Sequence, residues 1–96
     1  MSNKRRGIEK ERQAKHELEK EGYLVVRARG SFGKFDLIAL NTEHIKLVQV
    51  KRVKGKYASF VHEIKEIKDF VNHPNNTVKE LWIWFDHKGW TKRIIE

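Results

Sequence analysis

Apolar positions in this chain follow two rhythms. From about Arg5 to Glu21 the sequence is rich in Glu, Lys, Arg, Gln and Ala and has no proline. Ile8, Ala14 and Leu18 recur along one helical stripe, and Gly22 follows as a stop, so the spacing predicts a leading helix. YLVVRAR (Tyr23 to Arg29), FDLIAL (Phe35 to Leu40) and IKLVQV (Ile45 to Val50) are short β-branched and aromatic runs that predict three strands. GSFG (Gly30 to Gly33) reads as a turn and NTEH as a polar connection. Helical spacing returns between about Ser59 and Val71 at Phe60, Ile64, Ile67 and Val71, and Asn72-His73-Pro74 ends it. LWIWF (Leu81 to Phe85) and WTKRII (Trp90 to Ile95) predict a closing strand pair across Asp86–Gly89. The order αβββαββ implies an α+β layer of sheet flanked by helices. With no repeat, linker or low-complexity tract, residues 1–96 are expected to form one domain.

The hairpin between the second and third strands carries polar groups that a core alone does not call for. If the connection is symmetric about Thr42–Glu43, Leu40 lies opposite Ile45, and the same register sets Asp36 opposite Gln49, at about 5 Å between Cβ atoms. Lys51, two residues on, projects to the face of Gln49, whereas Val48 and Val50 point the other way. An acid, an amide and an ammonium therefore converge within an apolar hairpin. On the leading helix Glu11 falls near the centre of the apolar stripe, where a carboxylate is costly without compensation. Two explanations stand at this point. One is an inward salt bridge to Lys51 or Arg27; the other is a cation shared with Asp36 and Gln49. Mg²⁺ suits the second, because it takes oxygen ligands, keeps several waters and is held by one or two carboxylates plus phosphate.

Charge sharpens the picture. The formal net charge is +8, with 21 Lys and Arg against 13 Asp and Glu. A generic basic surface would account for the total, but the positions argue for a polyanionic partner. Basic residues gather at Lys4, Arg5 and Arg6, at Arg27, Arg29 and Lys34, and in KRVKGK, which holds Lys51, Arg52, Lys54 and Lys56. Several stand beside the carboxylates. No apolar stretch approaches the ~20 residues needed to cross a bilayer, and MSNKRRG leads into charge, so no membrane association and a soluble, cytoplasmic location are expected. The absence of cysteine excludes disulfides and thiolate metal sites. The five histidines form no recognised zinc-ligand cluster.

Asp36, Gln49 and Lys51 together resemble the PD-(D/E)XK nuclease signature, with Gln49 standing where Glu or Asp is usual. RRGIEKER (Arg5 to Arg12), LEKEGYLVVRARGS (Leu18 to Ser31), FDLIA (Phe35 to Ala39) and LVQVKRVK (Leu47 to Lys54) are similar, in order and spacing, to the archaeal-type Holliday junction resolvases. The closing apolar strand, its glycine and Trp90 share the likeness, which covers most of the chain. The middle helix is the least specific part, and the C-terminal tail that many relatives carry has no counterpart.

The resemblance implies a restriction-endonuclease-like, three-layer α/β core with a mixed central sheet. It implies Asp36 as the central metal ligand, Gln49 in the second ligand position and Glu11 as the helix-borne acid that completes the site. Lys51 would orient or activate the attacking water or stabilise the charge that develops on phosphorus. Arg12 and Arg27 match positions that hold the phosphate backbone, and Ser31 a serine near the scissile phosphate. Relatives act as homodimers that nick opposed strands of a four-way junction.

The expectation is a Mg²⁺-dependent, structure-specific endodeoxyribonuclease, with Mn²⁺ as a substitute metal, acting on branched DNA. Two alternatives stay open: a nuclease of the same class with a nicked, flapped or duplex target, and a non-cutting nucleic-acid-binding protein. The second arises because Gln49 brings an oxygen but no negative charge. GSFG either cradles phosphate or only links strands. Trp82, Trp84 and Trp90 either stack on bases or, with Leu81, Ile83 and Phe85, fill the core or a dimer seam.

Overall fold

The computed structural model describes residues 3–28, 35–55, 59–71 and 73–96, with side chains from residue 8 onward. Helix α1 (Asn3–Lys20) is followed by strands β1 (Leu24–Arg27), β2 (Leu37–Leu40) and β3 (Ile45–Val53). Helix α2 (Val61–Asp69) then leads to β4 (Thr77–Phe85) and β5 (Gly89–Ile95). The element order is the one the hydrophobic pattern predicts. Gly22, at φ +97, stops α1: its amide donates to the Glu19 carbonyl, and that of Tyr23 to the Leu18 carbonyl.

The strands form one mixed sheet in the order β1-β2-β3-β4-β5. Only β3 and β4 run parallel, joined through α2, while the other neighbours are antiparallel. Each face has its own core. Ala14 and Leu18 of α1 pack with Tyr23, Val25, Leu37, Ala39, Val48, Val50 and Trp82. On the opposite face Ile67 of α2 packs with Phe35, Leu47, Leu81, Ile83 and Ile95. Sheet plus a helix layer on each side gives the three-layer arrangement that the resemblance implies.

Strand β4 begins at Thr77, four residues before the apolar run that marked it in the sequence. The early part is polar yet buried, because Lys79 and Glu80 have partners. The Lys79 ammonium donates to the carbonyls of Ile67, Lys68 and Phe70, capping the C-terminal end of α2. Glu80 accepts from Trp82 Nε1 at 2.7 Å and pairs with Lys46 at 3.1 Å. A hydrophobic pattern cannot register such a segment. Strand β1 ends at Arg27, and Arg29 lies outside the described residues.

Candidate active site

The site is built where β2 leaves β3. The hairpin has the register expected from its turn, with Leu40 opposite Ile45 and Leu37 opposite Val48. One residue further the ladder changes character. The Asp36 amide donates to the Val48 carbonyl at 2.9 Å, and the Asp36 carboxylate accepts from the Val50 amide at 2.7 Å. A side-chain oxygen thus satisfies an inward-facing strand amide. The pleat breaks at the same point: Phe35 packs on the α2 face with Ile38, whereas Leu37 packs on the α1 face. Asp36 is therefore a local irregularity, not a member of an ordinary cross-strand pair. Its carboxylate is tied to the backbone of β3 at the margin of the sheet.

That position exposes Asp36 to charges from both faces. Burial pushes its carboxyl above the ordinary 3.8, and the Glu11 charge pushes the same way. The Val50 hydrogen bond, Lys51 and Arg27 oppose the rise. Glu11 and Arg27 come from the α1 side, where Arg27 follows Val25 in strand alternation. An Arg27 Nη donates to Glu11 Oε1 at 3.4 Å, so of the two salt-bridge partners open to Glu11 in the sequence the fold uses Arg27.

Gln49 and Lys51 alternate to the other side with Leu47, away from Val48 and Val50. Gln49 is 8% exposed, yet its Oε1 has no hydrogen-bond partner. A buried amide oxygen left without a donor is unusual and suits a cation. Lys51 is half-buried and makes no hydrogen bond or ion pair among the described residues. Asp36 thus feels Glu11 from one face of the sheet and Lys51 from the other, while Gln49 shares the face of Lys51, so the sequence-predicted residues are not presented on a single face. Among the described residues no three His, Cys, Asp or Glu side chains form a metal-ligand group.

The basic residues divide. Arg12 is exposed on α1, and Lys54 is exposed just past β3. Arg52 spans Asp86 with two hydrogen bonds, at 3.0 and 3.2 Å. Arg5 and Arg6 lie on α1 without described side chains, and Arg29, Ser31, Lys34 and Lys56 lie outside the described residues, as does the GSFG turn. The sequence reading missed Lys10. It is buried, with its ammonium 3.6 Å from the Trp84 ring centroid, and burial and Arg52 pull its pKa down while Asp86 and Glu9 oppose. Trp82 is core, whereas Trp84 and Trp90 line a groove of about 500 Å³ beside Arg12 and His16.

A mixed five-stranded sheet between two helix layers, with an acid at a strand break and an x-lysine strand beside it, defines the class: a PD-(D/E)XK nuclease domain. A family model described as archaeal Holliday junction resolvase (hjc) matches residues 2–95. A solved structure of Archaeoglobus fulgidus Hjc, a Holliday junction resolvase from an archaeal hyperthermophile, superposes with a TM-score of 0.72 at 22% identity, over 94% of this chain and 73% of that one. No curated protein matches. This chain belongs to the archaeal Holliday junction resolvase family, a family of metal-dependent, structure-specific endonucleases that resolve junctions.

Proposed function

We propose that this chain resolves four-way DNA junctions as a Mg²⁺-dependent homodimer, through paired nicks in opposed strands, with Asp36, Glu11, Gln49 and Lys51 as its working residues. The observation that carries the reading is the orphaned, buried Oε1 of Gln49 beside a strand break that holds the Asp36 carboxylate in place. Three oxygen donors of this kind suit a hard divalent ion. When bound, that ion supplies Lewis acidity and a more acidic water.

The residues of the chain do the rest. The Val50 amide fixes the orientation of Asp36, so a carboxylate is held ready without reorganisation. Lys51, unpaired among the described residues, offers a point charge for a non-bridging phosphate oxygen or a water. Arg12 and Arg27, with Arg5, Arg6, Arg29, Lys34, Lys54 and Lys56, would track the backbone, and Ser31 would stand near the scissile phosphate. Arg52 would join them by loosening its pair with Asp86. Two opposed cuts need two sites, and one chain supplies one, which is the reason for a homodimer. No described helix is long and apolar enough to cross a membrane; a cytoplasmic location is part of this proposal, supported by the expected action on DNA.

The test is cleavage of four-way junction, duplex and single-stranded DNA with Mg²⁺, with Mn²⁺ and with EDTA. Symmetric paired nicks on the junction alone, lost in EDTA, are expected. Cutting of every substrate would shift the target, and binding without cutting would leave a non-catalytic junction binder. Sedimentation should give a dimer.

A further inference from the structure

Two buried groups near Asp36 lack partners: Gln49 Oε1, an acceptor, and Arg27 Nε, a donor. The first suits a cation, but the second cannot, since a guanidinium offers donors only. Arg27 already touches Glu11, though through one contact at 3.4 Å, with both side chains roughly one-fifth exposed. Among the described residues most of its five donors are left over, and the buried Nε–H has no acceptor. Arg52 and Asp86, by contrast, close a two-pronged fork. Arg27 is held loosely where an arginine elsewhere in the same chain is held firmly.

Gln49 raises the stakes of this loose hold. Because it is neutral, the negative charge available to a cation comes from Asp36 and Glu11 alone, and Arg27 offsets Glu11. Its donors suffice for both the Glu11 carboxylate and a DNA phosphate, but its one positive charge does not: a phosphate that accepts from Nε adds a negative charge beside Glu11 and weakens the hold of Arg27 on that carboxylate.

We propose that Arg27 is a shared positioning residue: it restrains Glu11 in the DNA-free protein and transfers to a backbone phosphate oxygen when DNA binds, so that DNA and the divalent cation strengthen each other's binding. This rests on the metal-dependent reading above and adds the order in which the site becomes competent. The orphaned Nε receives its acceptor from the phosphate. Glu11 then presents its full charge to the cation only where a backbone is present, which limits idle metal occupancy. Linkage makes the effect reciprocal: whatever factor DNA adds to metal affinity, the metal adds to DNA affinity.

The experiment has two readouts apart from cleavage. Mn²⁺ binding to the DNA-free protein is followed by electron paramagnetic resonance. Affinity for a labelled four-way junction is followed by anisotropy in EDTA and in Ca²⁺ at constant ionic strength, with Asp36→Ala as the control for general screening. Wild type should bind the junction about fivefold or more tightly in Ca²⁺. Arg27→Gln should bind Mn²⁺ more tightly than wild type when DNA is absent, bind the junction more weakly, and lose most of the Ca²⁺ effect. A residue that only held phosphate would leave Mn²⁺ affinity unchanged, and one that only shaped the site would weaken it; either result overturns the proposal. Glu11→Gln, which keeps the shape and removes the charge, guards against a folding defect in Arg27→Gln. It should bind the junction more tightly in EDTA because Arg27 is released, and unchanged or weaker binding there also overturns the proposal. If wild type takes up no Mn²⁺ with or without junction, the metal reading falls and this proposal with it; if metal binds equally well in both cases, only this proposal falls.

Discussion

Two polar regions sit in the same sheet and differ in one respect. Around the start of β4, Lys79 and Glu80 are buried and their listeners are in place: carbonyls of α2 for the ammonium, Trp82 and Lys46 for the carboxylate. Around the break at Asp36, Gln49 Oε1 and Arg27 Nε are buried without a hydrogen-bond partner among the described residues, and Glu11 is held there by one contact at 3.4 Å. The first region pairs both of its charged groups when the chain folds and leaves a lone hydroxyl, Thr77 Oγ1, without a partner. The second leaves a buried acceptor and a buried donor unpaired, as the proposed ligand site requires. Buried polar groups cost free energy unless paired, so the first region supports the fold, while the second charges the fold's stability for a function.

The largest expected contrast is in activity. Lys51→Ala should lower junction cleavage by about 100-fold or more, the scale of losing one positioned transition-state charge, and leave the melting temperature within a few degrees. A variant that still cuts would remove Lys51 from the reaction. Lys79→Met should do the reverse. Stranding the carbonyls at the end of α2 should cost about 1–3 kcal/mol, read as a lower midpoint in urea, with cleavage retained at temperatures where the variant is folded. Loss of activity without loss of stability would erase the distinction between the regions.

Gln49→Glu sharpens the comparison within the site. It adds a second buried carboxylate beside Asp36, so the metal-free protein should melt lower than wild type, and Mg²⁺ should raise its melting temperature by more than it raises that of wild type. An identical Mg²⁺ response in both would show that position 49 does not meet the ion.

The smallest effect concerns Asp36 itself. Its pKa is raised in the folded state, chiefly by burial. The folded protein therefore holds this proton more tightly than the unfolded chain, and stability falls as pH rises through the window that opens at the unfolded value near 3.8. Asp36→Asn keeps an acceptor for the Val50 amide and removes the ionisation. In EDTA it should be slightly more stable than wild type at neutral pH, and the difference should vanish as pH falls below that window. A gap that persists or widens in acid would mean that Asp36 is not strained by its burial.

Much of the fold was legible along the chain because it depends on local periodicity. The helical stripe of Ile8, Ala14 and Leu18, the β-rich runs and the short NTEH connection determined the element order and the register that pairs Leu40 with Ile45. The same register brought Asp36, Gln49 and Lys51 to notice, and the stripe did so for Glu11. The polar start of β4 was not legible, since what keeps Lys79 and Glu80 buried is another element's carbonyls and another strand's lysine. The break at Asp36 was not legible either. Whether a carboxylate continues a ladder or replaces a carbonyl in it depends on where the neighbouring strands diverge, and nothing in residues 35–37 states that. For the same reason only the tertiary structure chose Arg27 over Lys51 as the partner of Glu11: Arg27 shares the face that α1 covers, and Lys51 alternates to the other. Periodicity determines which side chains can face inward; the meeting of separate elements decides which charges they find there.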